Sequence, residues 1–168
     1  MEIISIKKED MSEYGKSTTV SVYSAHVKIK DIERRASEMI EIISNTCWID
    51  ELNAVAKATF KARAQRTIIK LVEQIASRVE NEITAEFGEF MISESAQSTL
   101  DTQFAHTKIP LAELLKEKIT GNPGFDFHTE SKTKIICFGE AKFSGSINPH
   151  PSALNQIVEF IELEKDTA

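Results

Sequence analysis

Several features of secreted, membrane-spanning or nucleotide-driven proteins are missing from this chain. Cysteine is scarce: Cys47 and Cys137 lie far apart and form no Cys-x-x-Cys pair, so neither a disulfide framework nor a cysteine metal cluster is expected. Both are read as reduced, mostly buried thiols. No apolar run approaches the roughly 18 residues that cross a bilayer, and residues 1–8 lack a signal-peptide core. The expectation is a cytoplasmic protein with no membrane contact. His26, His106, His128 and His150 show no zinc-ligand spacing. There is no glycine-rich phosphate loop and no Gly-x-Ser-x-Gly, so ATP hydrolysis is not expected of this chain. Positive charge is also short. The net charge of -6 excludes a protein coated all over in cations, although a local basic face remains open. No internal repeat or low-complexity segment occurs.

What is present fits an ordinary globular protein. Hydrophobic residues make up 41% and charged residues 27% of 168 positions, enough for one domain with a core. Val20, Val22, Val27 and Ile29 alternate in part, predicting one or two strands over 19–29. Asp31 suits an N-cap, and Ile32, Ala36, Met39, Ile40 and Ile43 recur at helical spacing to about Asn45. A second long helical stretch starts at Asp50. Leu52, Val55, Ala56, Phe60 and Ala64 share one face, Ile68, Leu71, Val72, Ile75, Ala76 and Val79 continue it, and Ile83, Phe87 and Phe90 extend it. Gly88 is its first weak point. The polar stretch 93–106 reads as a loop or frayed helix. Pro110 suits the first turn of another helix, with Leu111, Leu114, Leu115 and Ile119 as its buried face.

The period then changes. Gly121-Asn122-Pro123-Gly124 is a turn cluster. Residues 125–128 read as a short strand, 130–132 as a hairpin turn, and 134–143 as the strongest strand. Its nearly continuous apolar half predicts burial on both faces. After a loop over 145–151, Ser152 is expected to cap a helix carrying Leu154, Ile157, Val158 and Ile161. The expected fold is α/β: a helical N-terminal half packed on a small mixed β-sheet. It forms one domain over 1–168, with a mainly helical region 1–80 and a core over 81–168.

Two acids and a lysine stand out beside this apolar strand. Asp126 is flanked by Phe125 and Phe127. If the rings face the core, the carboxyl points the other way. Glu140 and Lys142 are two apart on one strand, so they project from the same face, with small Ala141 opposite. A buried charge without a partner costs roughly several kcal/mol. Magnesium supplies such a partner, taking oxygen ligands while keeping several waters. A lysine beside it can orient or help deprotonate a water and balance charge growing on a phosphoryl group. The bare pattern [Asp/Glu]-x-Lys is weak on its own, and Glu130-Ser131-Lys132 matches it too. Context separates them: the first lies in a polar turn, the second follows Ile135-Ile136-Cys137-Phe138. The structural alternatives are a surface ion pair for Glu140 and Lys142, and a turn-capping role for Asp126.

Gly124-Phe125-Asp126, a hairpin, and then Ile136-Cys137-Phe138-Gly139-Glu140-Ala141-Lys142 resemble the active-site hairpin of the PD-(D/E)xK nuclease superfamily, the restriction-endonuclease-like fold. The resemblance covers residues 80–165 in outline. It implies a Mg²⁺- or Mn²⁺-dependent deoxyribonuclease. Asp126 and Glu140 then bind the metal, the Ala141 carbonyl is a further ligand, and Lys142 assists hydrolysis. Many members carry a glutamate on the helix before the hairpin. Glu89 matches it, with Glu86 next, and the alternative is a solvated helix face. Gln156-Ile157-Val158-Glu159-Phe160 resembles the Gln-x-x-x-Tyr motif of RecB-type nucleases, with Phe160 in place of tyrosine, and implies DNA contact by Gln156. The chain is also similar to the nuclease subunit of Hachiman-type anti-phage systems, which implies an antiviral effector working with a helicase. The superfamily core continues to a further strand, so the resemblance implies that the sequence is truncated, that this strand is missing, or that it is supplied from elsewhere, as by a partner or second copy.

Lys57, Lys61, Arg63, Arg66 and Lys70 form a run without an acid between Glu51 and Glu73. On a helix they can grip phosphates, dock an acidic partner, or simply be solvated. His128 lies two residues from Asp126 and can line the same face, although a structural role is the stronger reading. Trp48 is read as core. The rival to a DNA-cutting enzyme is a non-catalytic interaction subunit, whose helical half binds a larger partner and whose hairpin is vestigial.

Overall fold

The structure, a computed structural model, describes residues 1–10, 12, 21–51, 53–55, 57–58, 61, 65–66, 68–69, 72–73, 85–109 and 125–163. Among them the fold is mixed α/β, with three α-helices and two small antiparallel sheets. Residues 1–37 and 38–168 make two compact units, whose boundary falls inside the first helix.

The first unit opens on a hairpin rather than a helix. β1 (Glu2–Glu9) pairs antiparallel with β2 (Val22–Lys28), in register from Glu2↔Lys28 to Glu9↔Val22, with an irregularity between Ile3 and Ser5. The expected strand over 19–29 is β2, and Val20 lies outside the described residues. α1 (Ile32–Ser44) begins where Asp31 predicts, because Asp31 Oδ1 accepts the Arg34 N–H at 2.8 Å. That bond satisfies one of the orphan donors of the first turn. Ala36, Met39 and Ile43 are its buried stripe. A 3-10 turn over Cys47–Glu51 follows and buries Ile49. Cys47 is exposed, not buried as expected, and Cys137 is half-buried. The side chain of Trp48 lies outside the described residues. The described positions between 54 and 73 are helical, as the periodicity predicts.

The second unit carries α2 (Ala85–Phe104), which runs unbroken through Gly88 and through most of the stretch expected to be a loop or a frayed helix. Ser93, Glu94, Ser95, Gln97 and Thr99 are polar and buried. Gln97 and Glu94 find partners beyond the helix, and Thr99 finds one within it. Gln97 Nε2 donates to the carbonyls of Ile109 (2.7 Å) and His128 (2.8 Å). Thr99 Oγ1 donates to the Ser95 carbonyl at 2.8 Å. Lys108 Nζ donates to Glu94 Oε1 at 2.9 Å, where Glu94 has 2% side-chain exposure. Periodicity sees none of these partners.

α2 packs against a three-stranded sheet in the order β3-β4-β5: β3 (Thr107–Lys108), β4 (Phe127–Glu130) and β5 (Ile136–Gly139). Both pairings are antiparallel, so the sheet is not mixed. The short turn between β4 and β5 allows only an antiparallel pair there, since a parallel pair needs a crossover of roughly a dozen residues. β4 and β5 pair from Phe127↔Gly139 to Glu130↔Ile136. Lys134 turns the chain at a positive φ of 63°, and the Ser131 N–H donates to the Ile135 carbonyl.

α3 (His150–Glu162) starts two residues before the expected Ser152 cap. Pro149 occupies the N-cap without a side-chain hydrogen bond, and Pro151 sits in the first turn. Its expected apolar face is not the buried one. Phe160 is buried, while Leu154, Val158 and Ile161 are exposed. β5 and the residue before it are likewise more open than expected: Ile135, Ile136 and Phe138 are exposed, and among the described residues β5 is a sheet edge. The expected Pro110 helix and the 121–124 turn lie outside the described residues. No described helix is long and apolar enough to cross a membrane.

Candidate active site

The hairpin brings Asp126, Glu140 and Lys142 together. Asp126 sits just before β4, and its N–H donates to the Gly139 carbonyl at 2.9 Å. The Ala141 N–H in turn donates to Asp126 Oδ2 at 2.8 Å. These two bonds carry the pairing beyond the ladder and fix one carboxyl oxygen of Asp126 against the chain that bears Glu140. Glu140 and Lys142 lie just past β5 rather than within it. They still project together: Lys142 Nζ donates to Glu140 Oε1 at 2.6 Å.

Two glycines let these segments approach. A Cβ at Gly139 would strike the Phe127 ring, and one at Gly88 would strike the Phe143 ring. The bare backbone of α2 at Gly88 therefore seats Phe143, next to Lys142, and draws the neighbouring Glu89 towards the site. Sequence reading took Gly88 as a weak point in a helix. Its contact with Phe143 carries no local signal.

The electrostatics are those of crowded acids. The Glu140 side chain has no solvent exposure and that of Lys142 has 23%. Burial pushes the Glu140 carboxyl up to about 7, and the Asp126 carboxyl beside it pushes the same way, while Lys142 opposes both. Burial alone would lower Lys142. The hydrogen bond and charge of Glu140, with the charges of Glu89 and Asp126, hold its ammonium above the ordinary lysine value instead. Lys142 thus feels three carboxylates. Glu140 Oε2 is buried and accepts no hydrogen bond from a fixed donor, while the Asp126 carboxyl lies within hydrogen-bond reach of the Glu140 carboxyl, close enough for the two acids to share a proton.

This donor set suits a hard divalent cation. Among the described residues no group of three or more His, Cys, Asp and Glu side chains is gathered to hold a metal. Magnesium does not require one, because one or two carboxylates suffice while waters fill the other positions. Asp126 and Glu140 would supply the carboxylates. Glu89, expected as a third ligand, is half-buried on α2 within electrostatic reach of Lys142 but belongs to no three-acid group. The side chain of Glu86 lies outside the described residues.

The other candidates fall elsewhere. His128 sits edge-on to Phe125 and Phe138, with ring centroids at 6.4 and 5.1 Å. Gln156 lines a cleft of about 420 Å³ along α3, with Ser152, Asn155, Glu159 and Phe160. That cleft reaches towards the hairpin through Phe160, which packs on Phe125 at 4.9 Å. In the basic run, Lys57 is paired with Asp50 at 2.5 Å, whereas Lys61 and Arg66 are exposed. Arg63 and Lys70 lie outside the described residues. Compared with known proteins, the chain matches no family model, no curated protein and no solved structure.

Proposed function

We propose that the chain hydrolyses DNA phosphodiester bonds with Mg²⁺ or Mn²⁺, using Asp126 and Glu140 to bind the ion and Lys142 as the catalytic cation. The observation that supports this most is Glu140. Its carboxyl is fully buried, pressed against a second carboxyl, and has an oxygen that accepts no hydrogen bond from a fixed donor. Such an arrangement is unfavourable by about 1–2 kcal/mol after screening, and a divalent ion offsets it. When bound, the ion supplies Lewis-acid activation of the phosphate and of the attacking water. The Ala141 carbonyl and Glu89 are further candidate ligands.

The chain's own residues do the rest. Asp126 is held by the Ala141 N–H, so its carboxyl cannot swing away when phosphate approaches. Lys142 keeps its proton, because the acids around it raise its pKa. As an ammonium it donates hydrogen bonds and carries positive charge beside the acids. Hydrolysis forms a P–O bond to water and breaks the P–O bond to the leaving sugar oxygen. Charge grows on the phosphoryl oxygens meanwhile, and a fixed ammonium stabilises it. Lys61, Arg66 and Gln156 are proposed DNA contacts. The Hachiman-like resemblance adds a helicase partner and a defence role to the proposal.

Plasmid degradation with Mg²⁺ tests this, comparing wild type with Lys142→Ala, with and without a partner. Metal-dependent cutting that falls about 100-fold or more in the variant supports the enzyme. A second reading, the non-catalytic interaction subunit, is favoured by the exposed stripe Leu154, Val158 and Ile161 on α3. No cutting under any of these conditions would favour that subunit.

A further inference from the structure

Alternation along the hairpin sorts its side chains onto two faces. Phe127 and Thr129 are buried on one face with Gly139 and Ala141, while His128, Glu130, Ile136 and Phe138 lie on the other. Asp126 and Glu140 lie just outside the strands, Glu140 two residues beyond Phe138 and Asp126 two residues before His128. Two residues from each acid thus stands the cross-strand pair His128↔Phe138. The step between the two pairs is about 7 Å, a distance that an unstacked nucleotide can bridge.

Phe138 is built as a platform. Its ring lies against buried Phe125 at 4.8 Å and meets the His128 ring at 5.1 Å and 78°. It is nevertheless 40% exposed. Two rings thus brace it while part of it stays open near the acids. Duplex DNA hides the faces of its bases, whereas an unpaired base offers one. Aromatic rings hold such bases without regard to sequence.

We infer that Phe138, braced by Phe125 and His128, stacks an unpaired nucleobase one step from the phosphate held at Asp126 and Glu140, so that the substrate is single-stranded or frayed DNA. The inference rests on the nuclease reading for its location and deepens it by naming the substrate class.

The test reads binding without cutting. Wild-type protein is titrated, with a chelator present, against a single-stranded oligonucleotide carrying one 2-aminopurine and against its duplex. The single strand binds more tightly, and 2-aminopurine fluorescence is quenched. Phe138→Ala weakens single-strand binding about 5- to 100-fold and leaves duplex binding nearly unchanged. Phe138→Trp, which restores a ring, recovers the affinity. An abasic site walked along the strand weakens wild-type binding at one position, and that position loses its effect in Phe138→Ala. Equal single-strand affinity of wild type and Phe138→Ala overturns the inference, as does a wild-type preference for duplex. So does a wild-type dimer that Phe138→Ala dissociates, because the ring would then seal a contact between copies. The two readings fail separately. Metal-dependent cutting without any effect of Phe138 on strand binding removes the platform alone. Phe138-dependent strand binding without cutting removes the nuclease alone.

Discussion

Replacing Glu140 by glutamine keeps the side chain's size and an acceptor for Lys142 while removing a charge from a fully buried position. The effect on stability follows from the pKa. Burial and the Asp126 carboxyl raise Glu140 from 4.5 to about 7 in the fold. Below pH 4.5 the carboxyl is neutral in both folded and unfolded chains, and the substitution changes little. Between 4.5 and 7 the unfolded chain ionises first, so wild-type stability falls as pH rises. Above 7 the whole penalty is in place. The rise sets a ceiling of about 3 kcal/mol. Screening through the more open Lys142 side reduces this to about 1–2 kcal/mol. In a chain of this length that is about 2–8 °C in Tm. Calorimetry at a series of pH values should show wild type and Glu140→Gln melting together at about pH 4, with the variant rising above wild type by pH 8. Magnesium should then stabilise wild type alone, since only a state that binds the ion gains from it. A variant less stable than wild type at pH 8, or a gap that does not grow with pH, would refute the reasoning.

Other substitutions probe the supports of the site. Gly88→Ala gains helix propensity of about 1 kcal/mol but drives a Cβ into the Phe143 ring, an overpacking cost of about 1–3 kcal/mol. The net outcome is a Tm lowered by a few degrees and weaker cutting, read by calorimetry and plasmid assay. Ala105 ends α2 at a positive φ of 52°, so Ala105→Gly should stabilise the protein by about 1 kcal/mol in denaturant melts. Lys61 and Arg66 are exposed. Replacing both by alanine should lower the slope of log affinity against log salt by about 2 if each holds a phosphate.

Local chemistry made part of this molecule readable from sequence. Asp31 announces α1 because its cap bond is made three residues away, and the turn between β4 and β5 is marked by Glu130-Ser131-Lys132. The gathering of Asp126, Glu140 and Lys142 followed from the two-residue alternation of a hairpin. What could not be read depends on distant partners. The buried polar residues of α2 look like a loop until Gln97 is seen to satisfy two carbonyls from elsewhere in the chain. Gly88 looks like a break until Phe143 is placed upon it. β5 looked doubly buried because apolar residues in a row signal burial only when something covers the strand, and Ile136 and Phe138 lie exposed at a sheet edge. The apolar stripe of α3 was misassigned for the same reason: periodicity finds the stripe but not which side is packed.

The claim on which the rest stands is that Asp126 and Glu140 clasp one divalent ion. A Mn²⁺ titration followed by electron paramagnetic resonance measures this directly, since bound ions lose the signal of the free ion. Wild type is expected to take up one equivalent, and Asp126→Asn and Glu140→Gln none at the same concentration. Uptake that is absent in wild type, or undiminished in both variants, would contradict it.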